Sequence, residues 1–237
     1  GAVVVLEPST GKILAMVSKP SFDANTVSEN WDNLINDKNS VLVNRATQGQ
    51  YAPGSVFKLV TTLSFMRQNA DYEAYLNDCS GEMTVDGTTI HCYANQAHGQ
   101  ETLADAVANS CNTAFSGIGL QLDISKWQDT AKDLLFNTKL KCDLVSNQSS
   151  FSLDKSAGSA SVMMTAIGQG DTLVSPYHMA MITAAIANGG KLMKPYLVDE
   201  ITNYQGTRVK KYMPEKYTDL MTSEEAAVLT EYMKRVI

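Results

Sequence analysis

The stretch that most constrains this chain runs Ala52-Pro53-Gly54-Ser55-Val56-Phe57-Lys58 and continues Leu59-Val60-Thr61-Thr62-Leu63. Pro53 and Gly54 make a sharp entry into a helix that the spacing predicts from Ser55 to about Gln68. Its body, with Leu59, Val60, Leu63, Phe65 and Met66, is apolar enough to require burial, so the rest of the chain must be able to enclose it. Ser55 and Lys58 stand three positions apart and fall on one face of the first turn, which brings a hydroxyl within reach of an amine. The positive end of the helix lies beside them and favours a developing anion. By itself such a spacing is a common accident and reads as a surface Ser and Lys at a helix start.

A chain of 237 residues, 44% hydrophobic and 19% charged, is an ordinary globular composition with room for one large domain or two small ones. The formal net charge of -6 argues against nucleic acid or an anionic membrane surface as the main partner. No apolar run approaches the roughly 18 residues that span a bilayer, and no basic region with an apolar core marks a signal peptide. The abrupt strand-like opening Gly1-Ala2-Val3-Val4-Val5-Leu6 reads as an excised segment, from which a targeting or anchoring piece could have been removed.

In chain order, Val3 to Leu6 and Lys12 to Val17 predict two antiparallel strands of a core sheet, joined by the turn-rich Glu7-Pro8-Ser9-Thr10-Gly11. The polar stretch 19–50 predicts irregular connection with short helical turns, anchored by Trp31, and its length suggests that it lines something. Thr102 to Ala108 reads as a helix that halts at Asn109-Ser110-Cys111-Asn112, and Thr113 to Leu122 resumes the apolar pattern. Ser110 and Asn112 therefore sit at a break between two helices, where polar side chains ordinarily serve as caps. Ser125 to Phe136 is a further amphipathic helix burying Trp127, Ala131, Leu134 and Leu135, and 137–154 is loop-like, its Asn147-Gln148-Ser149 triplet a chance match to a glycosylation signal. Ser175-Pro176 opens a strong helix over Tyr177 to Asn188, stopped by Gly189-Gly190, on which His178 reads as structural. A peripheral hairpin is expected around Gly206, and the capping box Thr222-Ser223-Glu224-Glu225 opens a last helix.

Four cysteines, Cys79, Cys92, Cys111 and Cys142, are too few for a disulfide scaffold and form no C-x-x-C pair. Cys79 and Cys92 bracket a turn-rich segment that reads as a small hairpin, which a disulfide could close in an oxidising compartment. With His91 and His98 nearby the spacing fits no common zinc pattern, so no metal is expected. Gly168-Gln169-Gly170 lacks the third glycine and the βαβ context of a dinucleotide loop, and Gly49-x-x-x-x-Gly54 lacks the lysine of a phosphate loop.

Taken together and in order, Pro53-Gly54-Ser55-Val56-Phe57-Lys58, Ser110-Cys111-Asn112, Gly168-Gln169-Gly170-Asp171 with Ser175-Pro176, and Ala187-Asn188-Gly189-Gly190 resemble the transpeptidase domain of penicillin-binding proteins, the serine D,D-peptidase family. The run from Gly1 to Val17 is similar to that domain's first two strands, so the resemblance covers nearly the whole chain. It implies an α+β fold, an antiparallel sheet flanked by helices plus a mostly helical subdomain, with residues 1–237 as a single transpeptidase-like domain. It also implies that Ser55 is the acylated nucleophile and Lys58 the group that takes its proton. Ser110 would relay a proton to the leaving amine, and Asn112 would hold the substrate's peptide carbonyl and orient Lys58.

No Lys-Thr-Gly or Lys-Ser-Gly occurs in the sequence. In the family this third motif lies on a sheet strand beyond the last helix and supplies an oxyanion amide and a site for the substrate carboxylate. Truncation at both ends is the expectation, leaving two of the sheet's usual five strands. The implied activity is D,D-transpeptidation of peptidoglycan stem peptides ending in D-Ala-D-Ala, with β-lactams acylating the same serine, no cofactor, and cell-wall synthesis proteins as further partners. The implied location is the extracytoplasmic face of the bacterial membrane, on an anchored parent. Alternatives within the resemblance are a D,D-carboxypeptidase, a β-lactamase, and a non-catalytic β-lactam sensor or scaffold. Class D β-lactamases usually carry valine where Asn112 stands and fit less well.

Overall fold

The computed structural model describes residues 1–236. Strand β1 (Ala2–Leu6) pairs antiparallel with β2 (Ile13–Ser18), as the turn-rich link predicts, and the register shifts between Val5 and Leu6. The polar stretch that follows contains a 3-10 turn and the short helix α1 (Trp31–Ile35). Trp31 is 50% exposed and stands outside the hydrophobic core, contrary to the expectation that it anchors this stretch.

A 3-10 turn (Gly54–Phe57) feeds directly into α2 (Lys58–Gln68), and this helix is the hub of the molecule. Val60, Leu63, Phe65 and Met66 are buried on it, and so are the polar Thr61 and Thr62. The hydroxyls are accommodated because Thr61 Oγ1 donates to the Ala166 carbonyl (3.0 Å) and Thr62 Oγ1 to the Lys58 carbonyl (2.7 Å), leaving no orphaned polar atom. Each fully buried side chain of the size of Leu63 contributes roughly 1.5–3 kcal/mol.

Strands β3 (Leu76–Cys79), β4 (Glu82–Val85), β5 (Thr88–His91) and β6 (Gly99–Thr102) form two small antiparallel pairs, β3 with β6 and β4 with β5. The β4–β5 turn is Asp86-Gly87, both at positive φ, the geometry a two-residue hairpin demands. The hairpin forms, but the Cys79–Cys92 disulfide does not: all four cysteines are free, and the two Sγ atoms stand 3.7 Å apart. A bonded pair would lie at about 2.05 Å.

Helices α3 (Leu103–Ala108) and α4 (Asn112–Gln121) flank the break foreseen at residues 109–112, and α5 (Ile124–Asp133) follows with Trp127 and Ala131 buried. Helix α6 (Ser159–Ala166) occupies the small-residue stretch and packs closely on α4: a Cβ at Gly119 would lie 2.7 Å from Ala166 Cβ. Helix α7 (Pro176–Ala187) packs under β1, with Ser175 capping it through the His178 amide. Three short strands, β7 (Lys191–Met193), β8 (Glu200–Thr202) and β9 (Arg208–Lys211), are followed by β10 (Lys216–Asp219) and α8 (Ser223–Lys234). The β8–β9 pair is the peripheral hairpin expected around Gly206, and β10 returns to pair with β7.

Among the described residues the sheets are all two-stranded and antiparallel, surrounded by helices, which is the α+β arrangement anticipated. Arg67, at the end of α2, pairs with Glu225 on α8 (2.7 Å) and Asp133 on α5 (3.0 Å) and so ties three helices together. No described helix is long and apolar enough to cross a membrane.

Candidate active site

The 3-10 turn before α2 leaves Ser55 exposed at its start and points Lys58, only 3% exposed, into the interior one turn on. The break between α3 and α4 supplies the other side. There Ser110 adopts a left-handed backbone (φ +51°), which lets the chain reverse into α4 and turns both its hydroxyl and its carbonyl toward Lys58. Asn112 begins α4, with its amide nitrogen donating to the His91 carbonyl (2.8 Å) and its Oδ1 thereby aimed at the lysine. The β4–β5 hairpin thus orients Asn112, a part the sequence did not suggest.

All four residues singled out from the sequence meet at one nitrogen. Lys58 Nζ lies 3.3 Å from Ser55 Oγ, 3.0 Å from Ser110 Oγ, 2.6 Å from the Ser110 carbonyl oxygen and 2.7 Å from Asn112 Oδ1. An ammonium has three N–H groups and cannot donate to four acceptors at once. A neutral amine fits better. Its two N–H groups satisfy the oxygens that can only accept, the Ser110 carbonyl and Asn112 Oδ1, and its lone pair is left toward the two hydroxyls, which can donate. A neutral Nζ so placed is within hydrogen-bond reach of both serine hydroxyls.

Electrostatics push the same way. Burial lowers the Lys58 pKa from 10.5 to about 8, against the opposing pull of Cys111, Cys92 and Glu101. About a tenth of the groups is then neutral at pH 7, against well under a thousandth for an ordinary exposed lysine. The Phe115 ring lies 5.5 Å below Nζ and seals that side from water.

The loop Gly168-Gln169-Gly170 also belongs to the site. The Gly54 amide donates to the Gly168 carbonyl (2.8 Å), and a Cβ on Gly168 would fall 2.0 Å from the Gly54 oxygen, so only glycine permits this approach. The Ser55 turn is therefore braced by backbone from the far end of α6. Beneath it, Phe57 packs against Phe136 and Phe151 with ring centroids 5.8 and 6.0 Å away. His178, buried on α7, donates through Nε2 to the Leu134 carbonyl (2.7 Å) and packs against Phe136; none of its hydrogen bonds reaches Ser55, Lys58, Ser110 or Asn112.

Two hydroxyls and a buried amine thus converge where a helix begins in this α+β body. Comparison with known proteins makes the assignment: residues 1–236 match the penicillin-binding protein transpeptidase domain, and the chain belongs to that family. It is 33% identical over 98% of its length to the peptidoglycan D,D-transpeptidase PbpA of Mycolicibacterium smegmatis, of which it covers 50%. It is 28% identical over 99% of its length to the stage V sporulation protein D of Bacillus subtilis, of which it covers 36%. Among solved structures it resembles penicillin-binding protein A of M. tuberculosis in an imipenem acyl-enzyme complex (TM-score 0.89, 30% identity, 100% of this chain and 57% of that one). The D,D-transpeptidase domain of a peptidoglycan glycosyltransferase from Eggerthella lenta gives a TM-score of 0.90 at 30% identity, covering 100% of this chain and 60% of that one. The chain spans about half the length of the PbpA relatives it matches.

Proposed function

We propose that the chain carries the acylation machinery of a peptidoglycan D,D-transpeptidase, with Ser55 as nucleophile, Lys58 as its base, Ser110 as proton relay and Asn112 as the residue that orients Lys58 and holds the substrate's peptide carbonyl. The observation that carries this reading is the position of Lys58 Nζ, buried and shared between Ser55 Oγ and Ser110 Oγ. Lys58 accepts the Ser55 proton as Oγ attacks the carbonyl carbon of the penultimate D-Ala. The oxyanion that forms meets the backbone amide of Ser55 in the first turn, where N–H groups lack intrahelical acceptors. An oxyanion donor of this kind typically contributes a hundred- to a thousandfold in rate. The proton then travels from Lys58 through Ser110 to the departing D-Ala amine, leaving an acyl-enzyme, and the amine of a neighbouring stem peptide resolves it into a cross-link.

A β-lactam amide presents the same carbonyl and acylates the same serine. The solved relatives with β-lactams bound as acyl-enzymes support this reading. Work outside the cytoplasmic membrane, within a cell-wall assembly, follows from the substrate; a structural neighbour from Helicobacter pylori is a complex of a penicillin-binding protein with MreC.

The full natural chain, incubated with a fluorescent penicillin and digested for mass spectrometry, is expected to show one covalent adduct on Ser55. Ser55→Ala should abolish it, and Lys58→Ala should slow it by about a hundred- to ten-thousandfold, the usual worth of a positioned base. Equal labelling of Ser55→Ala, or an adduct on another residue, removes the assignment. Supplying a D-Ala-D-Ala stem peptide with and without an acceptor amine separates transpeptidation from hydrolysis.

A further inference from the structure

The hairpin that holds Asn112 has no larger sheet to fix it. Among the described residues β4 and β5 pair only with each other, and a two-stranded hairpin left to itself in water is marginally stable. Its placement is therefore set by what it leans on, and it leans in three places. At the root, the Cys92 amide donates to the Gly81 carbonyl (2.8 Å), and the His91 carbonyl accepts from Asn112 Nδ2 (2.8 Å). In the middle, Ile90 is buried in the core, and Met83 lies over Gly117 of α4, where a Cβ would stand 3.9 Å from Met83 Cε. At the tip, Ser159 Oγ on α6 donates to Asp86 Oδ2 (2.7 Å), joining groups 73 residues apart in sequence.

The turn itself does not need the tip contact. Asp86 and Gly87 have φ of +48° and +78°, a geometry that asparagine or glycine meets equally well at the first position and that calls for no carboxylate reaching another element. Helix α6 does have a use for one. It starts after Gly158, which has no side chain to cap it, and its first turn holds no acidic residue. The carboxylate at its positive end comes from the hairpin instead. The apolar contacts in the middle are non-directional and let the hairpin pivot, whereas a directional bond at the tip stops the pivot. Asp86 is five residues from His91, roughly 17 Å along a strand, so the tip has leverage on the root. Freed to swing, the hairpin would carry the His91 carbonyl away from Asn112 Nδ2. The amide would then no longer be held with Oδ1 2.7 Å from Lys58 Nζ, and turned over it would set its own N–H groups against those of the amine.

We propose that Asp86 is a positioning residue for the site: clamped to Ser159, it fixes the β4–β5 hairpin so that the His91 carbonyl holds Asn112 with its oxygen on Lys58. Asp86 works at a distance, through Asn112, and takes no proton itself. The line of contact runs from α6 through Ser159 and Asp86, along the hairpin to His91, and across to Asn112 and Lys58. Its effect on rate rests on the acyl-transfer reading; the clamp itself does not.

The test uses the full natural chain, at temperatures where circular dichroism shows every variant folded. It follows the rate of fluorescent-penicillin labelling and the deuterium exchange of backbone amides in peptides covering 82–92 and 108–113. Asp86→Gly keeps the turn and removes the carboxylate, and Ser159→Ala removes the donor. Each should slow labelling about 3- to 10-fold, the usual worth of one exposed hydrogen bond to a charged group, and speed exchange in both peptides. The double variant should be no slower than either single one, because both break the same bond. Asp86→Asn, whose amide oxygen still accepts from Ser159 and which suits the turn, should restore the rate to within about twofold of wild type. In an Asn112→Ala background, Asp86→Gly should slow labelling no further, whereas a general loosening would slow both backgrounds alike. Should Asn112→Ala label too slowly to measure, the double variant and the asparagine rescue decide. The proposal is overturned if Asp86→Gly labels at the wild-type rate, if Asp86→Asn is as slow as Asp86→Gly, or if the loss persists in Asn112→Ala. A wild type that takes no penicillin, with exchange still rising in Asp86→Gly, would defeat acyl transfer and leave the clamp standing; normal Ser55 labelling with exchange unmoved would do the reverse.

Discussion

Ser110 holds a backbone conformation that costs an ordinary L-residue about 1–2 kcal/mol. The turn keeps it there because the Ser110 amide donates to the Val107 carbonyl, the Cys111 amide to the Ala106 carbonyl, and the Ser110 carbonyl accepts from Lys58 at 2.6 Å. Strain and function can be separated by two substitutions. Ser110→Gly and Ser110→Ala both remove the hydroxyl and should slow penicillin acylation by about a hundredfold or more if it relays the proton. Only glycine removes the strain, so the glycine variant should melt about 2–4 °C above the alanine variant, as expected for about 1 kcal/mol in a chain of this size. Equal melting points would show that the left-handed turn is not strained, and unimpaired labelling would remove Ser110 from proton transfer. At this scale the sequence was only partly legible. The Ser55–Lys58 spacing follows from helix geometry, whereas a serine at a helix break looks like a cap until the fold shows that its φ is positive and its oxygens face Lys58.

Between α6 and α7, the glycine loop decides where Ser55 sits. Gly168 has φ +72°, and an added Cβ would lie 2.0 Å from the Gly54 oxygen and 2.8 Å from Phe57 Cβ, neither of which can yield without moving the turn that carries Ser55. Gly170, at φ +84°, has nothing nearer than 3.6 Å. Alanine at Gly170 should therefore cost only the backbone term, about 1 kcal/mol, and leave acylation nearly unchanged. Alanine at Gly168 should cost more and slow Ser55 labelling at temperatures where the protein remains folded. Circular dichroism melts and labelling rates on the two variants check this, and the same rate for both would mean that the loop does not position Ser55. Elements with strong local signals were the readable ones: α2 by its apolar body, α7 by Ser175-Pro176 and the glycines after it, α8 by its capping box. Helix α6 escaped because Ser159-Ala160-Ser161 reads as loop composition, and the β7–β10 pair because three- and four-residue strands far apart in sequence leave no local period.

The molecule as a whole is closed by contacts that no local pattern announces. Cys79, Cys92, His98 and Cys111 are separated by twelve, five and twelve residues, and only the meeting of the β3–β6 pair, the β4–β5 hairpin and α4 gathers their side chains within 4.8 Å of one another. His178 is another such closure, fastening α7 to the end of α5 through Leu134, with its ring 4.8 Å from that of Phe136. Its Nε2 donates to the carbonyl, and its Nδ1 is buried without a partner, so a second proton would have no acceptor. Burial accordingly lowers its pKa from 6.5 to about 4, the Leu134 bond opposing only in part. Between these values the unfolded chain binds the proton and the native one does not, so stability rises with pH across the window. The contribution is complete above pH 6.5 and is lost as pH falls toward 4, amounting to about 3 kcal/mol by the usual 1.36 kcal/mol per pH unit. His178→Gln offers a neutral amide donor in the same position and cannot titrate. Urea unfolding from pH 7.5 to 4.5 should show the wild type losing about 2–3 kcal/mol more than the glutamine variant, the difference cancelling every other group that titrates in both. Parallel profiles would mean that His178 is protonated in the native fold and that its burial is relieved in solution.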